Sequence, residues 1–161
     1  MSTGIDRGFE LLAGLDEESR RRVLALGERR HYACASEVFR LGDPADHLYL
    51  VEQGQVALMM PLSFKGEERN VLVEEEGRGQ TVGWSALVAP HRFTLMARAS
   101  VATDLVALPR VALRHLFAVD PAVAAVVLGN LITLIGQRLQ KVQAMWIREV
   151  QRSVTARLAE A

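Results

Sequence analysis

Short alternating segments separated by turn residues fill the middle of the chain, and they constrain the fold more than any other feature. Between residues 30 and 109, apolar side chains often fall at alternate positions, which predicts strands with one buried face. The segments are HYACA, EVFRL, DHLYLVEQ, GQVALMM, NVLVEEE, RFTLMARA and VATDLVALP. Glycine turns separate them at residues 42–44, 54, 65–67 and 77–79. Many short strands so close together indicate an antiparallel sandwich, barrel or jelly roll.

The residues before these strands have a helical pattern. We expect residues 5–28 to be helical, with Asp16 as the N-cap of a second helix inside this range. Gly27 is expected at the end of that helix, because glycine often follows the last helical turn.

A second helical region follows the strands. A short helix is predicted over residues 110–119. Asp120 and Pro121 then begin a helix of about 35 residues, since aspartate suits the N-cap and proline the first helical position. The predicted division is residues 1–119, a helical start with the strands and the short helix, and residues 120–161, the long helix.

The predicted long helix carries two apolar stripes. The first is a heptad seam, with alternating steps of four and three residues, formed by Leu128, Ile132, Ile135, Leu139, Val142 and Trp146. A second stripe beside it contains Leu131, Leu134 and Met145. Two apolar faces predict two contacts, one with the strands and one with a second copy. A helix buried within its own monomer is the alternative, but its last turns extend beyond what the strands could cover.

Charge and composition exclude several classes of protein. Lys plus Arg and Asp plus Glu both number 19, and this balance argues against general nucleic-acid binding. The N-terminus lacks a signal-peptide pattern, and no apolar run approaches the ~20 residues that span a bilayer. The single cysteine, Cys34, cannot form an intramolecular disulfide. We expect a cytoplasmic protein without membrane contact.

No catalytic or metal site is predicted. His31, His47, His91 and His115 have no metal-ligand spacing among themselves or with Cys34. Nucleotide-binding glycine loops and a nucleophile elbow are also absent from the sequence. An enzyme is therefore not expected.

The helical start, the glycine-turned strands and the long helix together resemble the cyclic-nucleotide-binding domain of the catabolite-activator (Crp/Fnr) family. FRLGDPADHLYLVEQGQV places Gly42 and Gly54 where that family has turn glycines, and DPAVAAVVLGNLITLIGQRLQ is similar to the start of its dimerisation helix. The resemblance covers nearly the whole chain. It implies a mainly β fold, an eight-stranded antiparallel β-roll flanked by helices, and a parallel homodimer formed through the long helix.

The resemblance also implies a phosphate-binding cassette in VGWSALVAPHRFT, residues 82–94. In the family, a glycine is followed by a glutamate that accepts from the ribose hydroxyl, then by a short apolar helix. Here Gly83 matches the glycine, Ser85 and Ala86 belong to the short helix, and Trp84 stands in place of the glutamate.

The arginine that pairs with the phosphate in the family is also displaced. Phe93 occupies its position, Thr94 follows, and Arg92 lies one residue away, where its side chain would point to the opposite face. Val142 and Gln143 correspond to the helix residues that touch the base, and only one of them is polar.

The implied function is that of a dimeric, non-catalytic sensor with an altered or degenerate effector site. Three interpretations stay open. Arg92 could bend inward and restore binding of cAMP or cGMP. A different nucleotide or an apolar effector could stack on Trp84 or Phe93. These side chains could instead fill the cassette and leave an interaction module, which the sequence favours because tryptophan is more often a core residue.

Crp/Fnr regulators continue from the long helix into a helix-turn-helix domain. This chain ends at SVTARLAEA, which resembles the hinge before that domain. We expect a stand-alone sensor, with a sensor fragment of a longer regulator as the alternative. In either case no recognition helix lies in these residues, so we expect no direct nucleic-acid contact by this chain.

Overall fold

Two four-stranded antiparallel sheets enclose the apolar core in the computed structural model, which describes residues 8–159. In chain order the strands are β1 (Glu28–Tyr32), β2 (Glu37–Phe39), β3 (His47–Gln53), β4 (Gln55–Phe64), β5 (Glu67–Gly77), β6 (Thr81–Val82), β7 (Met96–Ala99) and β8 (Thr103–Pro109). One sheet has the order β1-β8-β3-β6 and the other β2-β7-β4-β5. The expected eight-stranded antiparallel β-roll is confirmed.

The strand predictions differ from the structure mainly at two places. Each of the seven predicted segments overlaps a strand, but the two-residue strand β6 was not expected, since it is too short to show a period. Residues 92–95 were predicted as part of a strand, whereas β7 begins only at Met96. Glycine turns lie between strands as predicted. At Gly54 (φ 89°), an added Cβ would lie 2.4 Å from the Thr103 hydroxyl, so a side chain does not fit.

The N-terminal helical prediction was too long. The described part of residues 5–28 contains a 3₁₀ turn (Glu10–Leu12) and one eight-residue helix, α1 (Glu17–Leu24). Residues 5–7 lie outside the described chain. Asp16 caps α1 as predicted, because its carboxylate accepts from the Ser19 amide at 2.7 Å. Gly27 lies beyond the helix end and close to β8, where a Cβ would meet Val106 at 2.5 Å.

Two helices follow the roll, α2 (Arg110–Val119) and α3 (Pro121–Ala159), and α3 has 39 residues. Asp120 precedes α3 as predicted, and its carboxylate accepts from the Val123 amide at 3.2 Å and from Arg22 at 2.7 Å. The Asn130 side chain donates to the carbonyls of Leu11 and Ala13 at 2.9 and 2.8 Å. These bonds fix the first half of α3 to the N-terminal turns.

The two halves of α3 differ in burial. Val123, Val127 and Leu131 are buried in the core, whereas every residue from Leu139 to Ala159 is exposed. By length and composition alone, α3 contains an 18-residue stretch apolar enough to cross a bilayer. The expectation of no membrane contact stays a prediction, because core helices of soluble proteins meet the same criterion.

Candidate functional site

The cassette connects β6 to β7 at one end of the roll. Gly83 has a left-handed backbone (φ 77°) and precedes a 3₁₀ turn over Trp84–Leu87. A Cβ at Gly83 would lie 3.2 Å from the rings of Phe93 and Tyr49. Both the backbone and the close neighbours therefore require glycine here.

Phe93 points into the roll. Its amide donates to the Asp43 carbonyl at 3.0 Å, and its carbonyl accepts from the Gly42 amide at 2.8 Å. The ring stacks on Phe39 with centroids 3.7 Å apart and planes 11° from parallel, and the residue is only 5% exposed. The backbone bonds to the turn thus direct an apolar ring to the interior.

Arg92 points the other way. It is exposed, and its guanidinium donates to the Gly42 carbonyl at 2.8 Å. This follows from the alternation of an extended backbone, since an inward Phe93 requires an outward neighbour.

The cassette encloses little space. Its cavity volume is about 30 Å³, against roughly 300–1,000 Å³ for sites that hold small molecules. The lining includes five of the predicted ligand residues, Gly83, Trp84, Ser85, Phe93 and Thr94, together with Phe39, Leu58, Leu95 and Arg138.

Four predicted ligand residues lie elsewhere. Ala86 is fully buried in the core, and Arg92 is turned outward. Val142 and Gln143 are exposed on the second half of α3 and do not line the cavity. Their roles in ligand binding stay predictions.

Arg138 of α3 is the functional candidate that sequence reasoning missed. It lines the cassette cavity, and its side chain is 18% exposed. A signal was present, because residues 131, 134, 138, 141 and 145 form the second stripe of α3, and Arg138 and Lys141 interrupt its apolar members. Charged residues within an apolar stripe indicate partners of opposite charge on the surface it contacts.

Those partners are two glutamates of β5. The Arg138 Nε donates to Glu74 Oε2 at 2.7 Å, and its Nη2 donates to Glu76. Lys141 Nζ donates to the other Glu74 oxygen, also at 2.7 Å. Glu10 lies beside them, with its carboxylate accepting from the Thr81 amide at 3.0 Å. We call Glu10, Glu74, Glu76, Arg138 and Lys141 the acidic cluster.

The acidic cluster shifts the pKa of each carboxyl. The pKa of Glu76 is raised to about 7, chiefly by burial and also by the neighbouring Glu74, against the opposing charge of Arg138. Burial also raises the pKa of Glu74, but hydrogen bonds and charge from Lys141 and Arg138 outweigh it, so that pKa lies below its usual value. The pKa of Glu10 is raised, mainly by burial.

Metal ligation finds no support in the geometry. Within residues 8–159, no group of three or more His, Cys, Asp or Glu side chains could hold a metal ion. His31 instead lies 2.7 Å from a carboxylate oxygen of Asp104.

Comparison with known proteins identifies the family of this architecture. The family model described as "Cyclic nucleotide-binding domain" matches residues 29–120, which is more than half of the chain. The CRP-like protein Clp of Xanthomonas campestris pv. campestris is 36% identical over 69 residues. Those residues are 43% of this chain and 29% of Clp, so the chain matches under a third of that relative.

Solved structures of cyclic nucleotide-binding domains and CRP-like regulators are also similar to this chain. The structure of the c-di-GMP responsive global regulator CLP from Xanthomonas campestris matches with a TM-score of 0.72 and 26% identity, over 83% of this chain and 64% of that one. A cyclic nucleotide-binding domain from Methylobacillus flagellatus KT matches with a TM-score of 0.79 over 89% of this chain and 83% of that one. Its 21% identity shows the fold alone.

Proposed function

Because this chain belongs to the cyclic nucleotide-binding domain family, we propose that it is a dimeric, non-catalytic sensor whose cassette has lost the usual contacts to cAMP and cGMP. It is a regulatory domain similar to CRP-like regulators. The observation that carries the proposal is the Phe93 ring, which stacks on Phe39 where the family resemblance places an arginine.

The energetic cost of this change is large. A hydrogen bond to a charged group contributes about 1.5–3 kcal/mol, so the loss of two weakens a cyclic mononucleotide by roughly two to four orders of magnitude. Arg92 does not replace the missing charge in this conformation, since it is bonded to the Gly42 carbonyl outside the cavity.

The dimer is proposed from the uncovered seam of α3. Ile132, Leu139 and Trp146 are 71%, 56% and 68% exposed, and Leu128 and Val142 are also exposed. Ile135 is partly buried against the core and lies at the edge of this face. The helix is about 58 Å long at 1.5 Å per residue, so its second half extends away from its own roll. A second α3 with the same heptad would bury these side chains.

The same pairing explains the membrane-like composition of α3. One face of the helix packs on the roll, and the seam would pack on a partner, so the apolar stretch needs no bilayer. We therefore propose that α3 does not span a membrane, in keeping with the cytoplasmic location expected from the sequence.

If the cassette does bind an effector, a cyclic dinucleotide is the candidate. It is favoured by the similarity to the c-di-GMP responsive regulator CLP. Such a ligand would require the cassette to open, because the present cavity is too small for it.

Thermal unfolding with cAMP, cGMP and cyclic di-GMP tests the proposal. A ligand at a hundred times its Kd stabilises a protein by about 2.7 kcal/mol. We expect no shift from either mononucleotide at millimolar concentration. A cAMP response that Arg92→Ala abolishes would contradict the proposal and identify a genuine cAMP sensor. A response to cyclic di-GMP alone would support an altered effector site.

A further inference from the structure

The acidic cluster lies where α3 meets the roll, and its charges do not balance. Glu10 comes from the 3₁₀ turn, Glu74 and Glu76 from β5, and Arg138 and Lys141 from α3. Three carboxylates thus face two cations. No other charged side chain of residues 8–159 lines this cleft, so one carboxylate lacks a counterion when all three are ionised.

Thr81 lines the same cleft and carries an unpaired, buried hydroxyl. Thr81 is 4% exposed, and its Oγ has no hydrogen-bond partner among the described residues. The cleft has a volume of about 40 Å³, which is room for water beside Thr81 and Glu76. Lys141 at its rim is 65% exposed, so the cleft communicates with solvent. Protons can therefore reach the buried carboxyl.

We propose that the acidic cluster is a proton-binding site in which Glu76 takes up one proton and Arg138 positions α3, so that protonation fastens the long helix to the roll. One proton makes the charges of the cluster balance. Glu76 receives it because, at 3% exposure, it is the most buried of the three carboxyls and shares Arg138 with Glu74. Glu10, by contrast, is held by the Thr81 amide. This site adjoins the cassette, since Arg138 lines both, but proton uptake by Glu76 requires no effector in the cassette.

The direction of the pH effect follows from linkage. With α3 attached, Glu76 has a pKa of about 7, against 4.5 for an exposed glutamate. Release of α3 exposes the carboxyl, so the attached state binds the proton more tightly. Attachment is therefore strongest at low pH and weakens as the pH rises through 7. Between pH 6 and pH 8 the equilibrium between attached and released α3 changes about tenfold.

Hydrogen exchange of the α3 amides over residues 131–141 measures this equilibrium when rates are expressed as protection factors. We expect the wild-type protection to fall about tenfold from pH 6 to pH 8. Glu76→Gln mimics the protonated state and should remove this dependence. Glu75→Gln is the matched control, because Glu75 is exposed and lies outside the cluster, and it should follow the wild type.

The Arg138→Gln variant tests whether Arg138 positions α3 through its charge or only through the packing of its side chain. Without the guanidinium, Glu76 holds its proton more tightly, so the midpoint of the pH profile should move to higher pH. A role in packing alone would lower protection equally at every pH.

A direct titration keeps the proposal testable if Glu76→Gln fails to fold. The carboxyl carbon of Glu76, followed by NMR in the native protein, should titrate near pH 7. A midpoint near 4.5, or a wild-type exchange profile that matches Glu76→Gln, would overturn the proton site. Neither result bears on the closed cassette, which the nucleotide screen tests separately.

Discussion

The cassette and the second half of α3 both carry large apolar side chains, but they differ in how far these side chains are buried. In the cassette, Phe93 is 5% exposed and fills the place of a ligand contact. On α3, Trp146 is 68% exposed and touches nothing that would remove it from water. Burial of Phe93 stabilises the monomer, whereas Trp146 can contribute to stability only when a partner covers it. This difference is what the proposed function requires, namely a cassette without polar ligand contacts and an α3 that pairs with a second copy.

Phe93→Ala should give the largest effect. Truncation of a fully packed phenylalanine costs about 3–5 kcal/mol, because the lost burial is joined by the cost of a cavity. The free energy of unfolding by urea measures the change. Thr94→Ala is the control, since Thr94 is exposed and should change stability by less than about 0.5 kcal/mol. Equal effects from the two variants would mean that Phe93 is not a core residue.

Ile132→Asp combined with Leu139→Asp should give the next largest effect. Both side chains are exposed in the monomer, so the fold should survive, but the pair places four charges in the dimer seam. We expect the dimer Kd to rise at least about a hundredfold, or about 2.7 kcal/mol, in sedimentation equilibrium. Gln140→Asp, on another face of α3, should leave the Kd unchanged. A double variant that stays dimeric would refute the seam.

A smaller effect is expected from Arg138→Ala. Removal of the guanidinium leaves Glu76 without its cation, which should cost about 1–3 kcal/mol at pH 8 and less at pH 6, where the proposed proton neutralises the carboxyl. Arg92→Ala should cost no more than about 0.5 kcal/mol, because its single bond lies at the surface. Chemical unfolding at the two pH values distinguishes them, and a larger loss from Arg92 would reverse our assignment of the two arginines.

The smallest effect is expected at the cap of α1. Asp16→Ala removes the acceptor for the Ser19 amide and should cost about 1 kcal/mol in unfolding free energy. Asp16→Asn keeps an acceptor there and should recover most of the loss. Failure of asparagine to do so would show that the charge, rather than the cap, is what stabilises the helix.

The fold was predictable because its signals are local. Alternating apolar positions located seven strands, and Asp120 with Pro121 located the start of α3. The 3₁₀ turn that begins at Glu10 was predicted as part of a longer helix. The turn and α1 are both short, and their apolar residues together form a pattern that one helix would also show. Strand β6 has too few residues to show any alternation.

The candidate site was only partly predictable because it depends on contacts between distant segments. Gly83 marks the cassette in the sequence, and Phe93 follows at a fixed distance. Arg138 meets Glu74 and Glu76 across more than sixty positions, and only the packing of α3 on the roll brings them together. The expected contact of Val142 with the base came from the family resemblance, which does not fix where a helix meets its sheet.

The claim that Phe93 and Trp84 close the cassette to cAMP is tested most directly by calorimetric titration of two proteins with cAMP. One is the native chain, and the other carries Trp84→Glu with Phe93→Arg, which restores both charged groups of the family pattern. We predict no saturable heat with the native chain and a tightening of at least about a hundredfold in the double variant. Native binding at micromolar Kd, unchanged or weakened by the double substitution, would contradict the account.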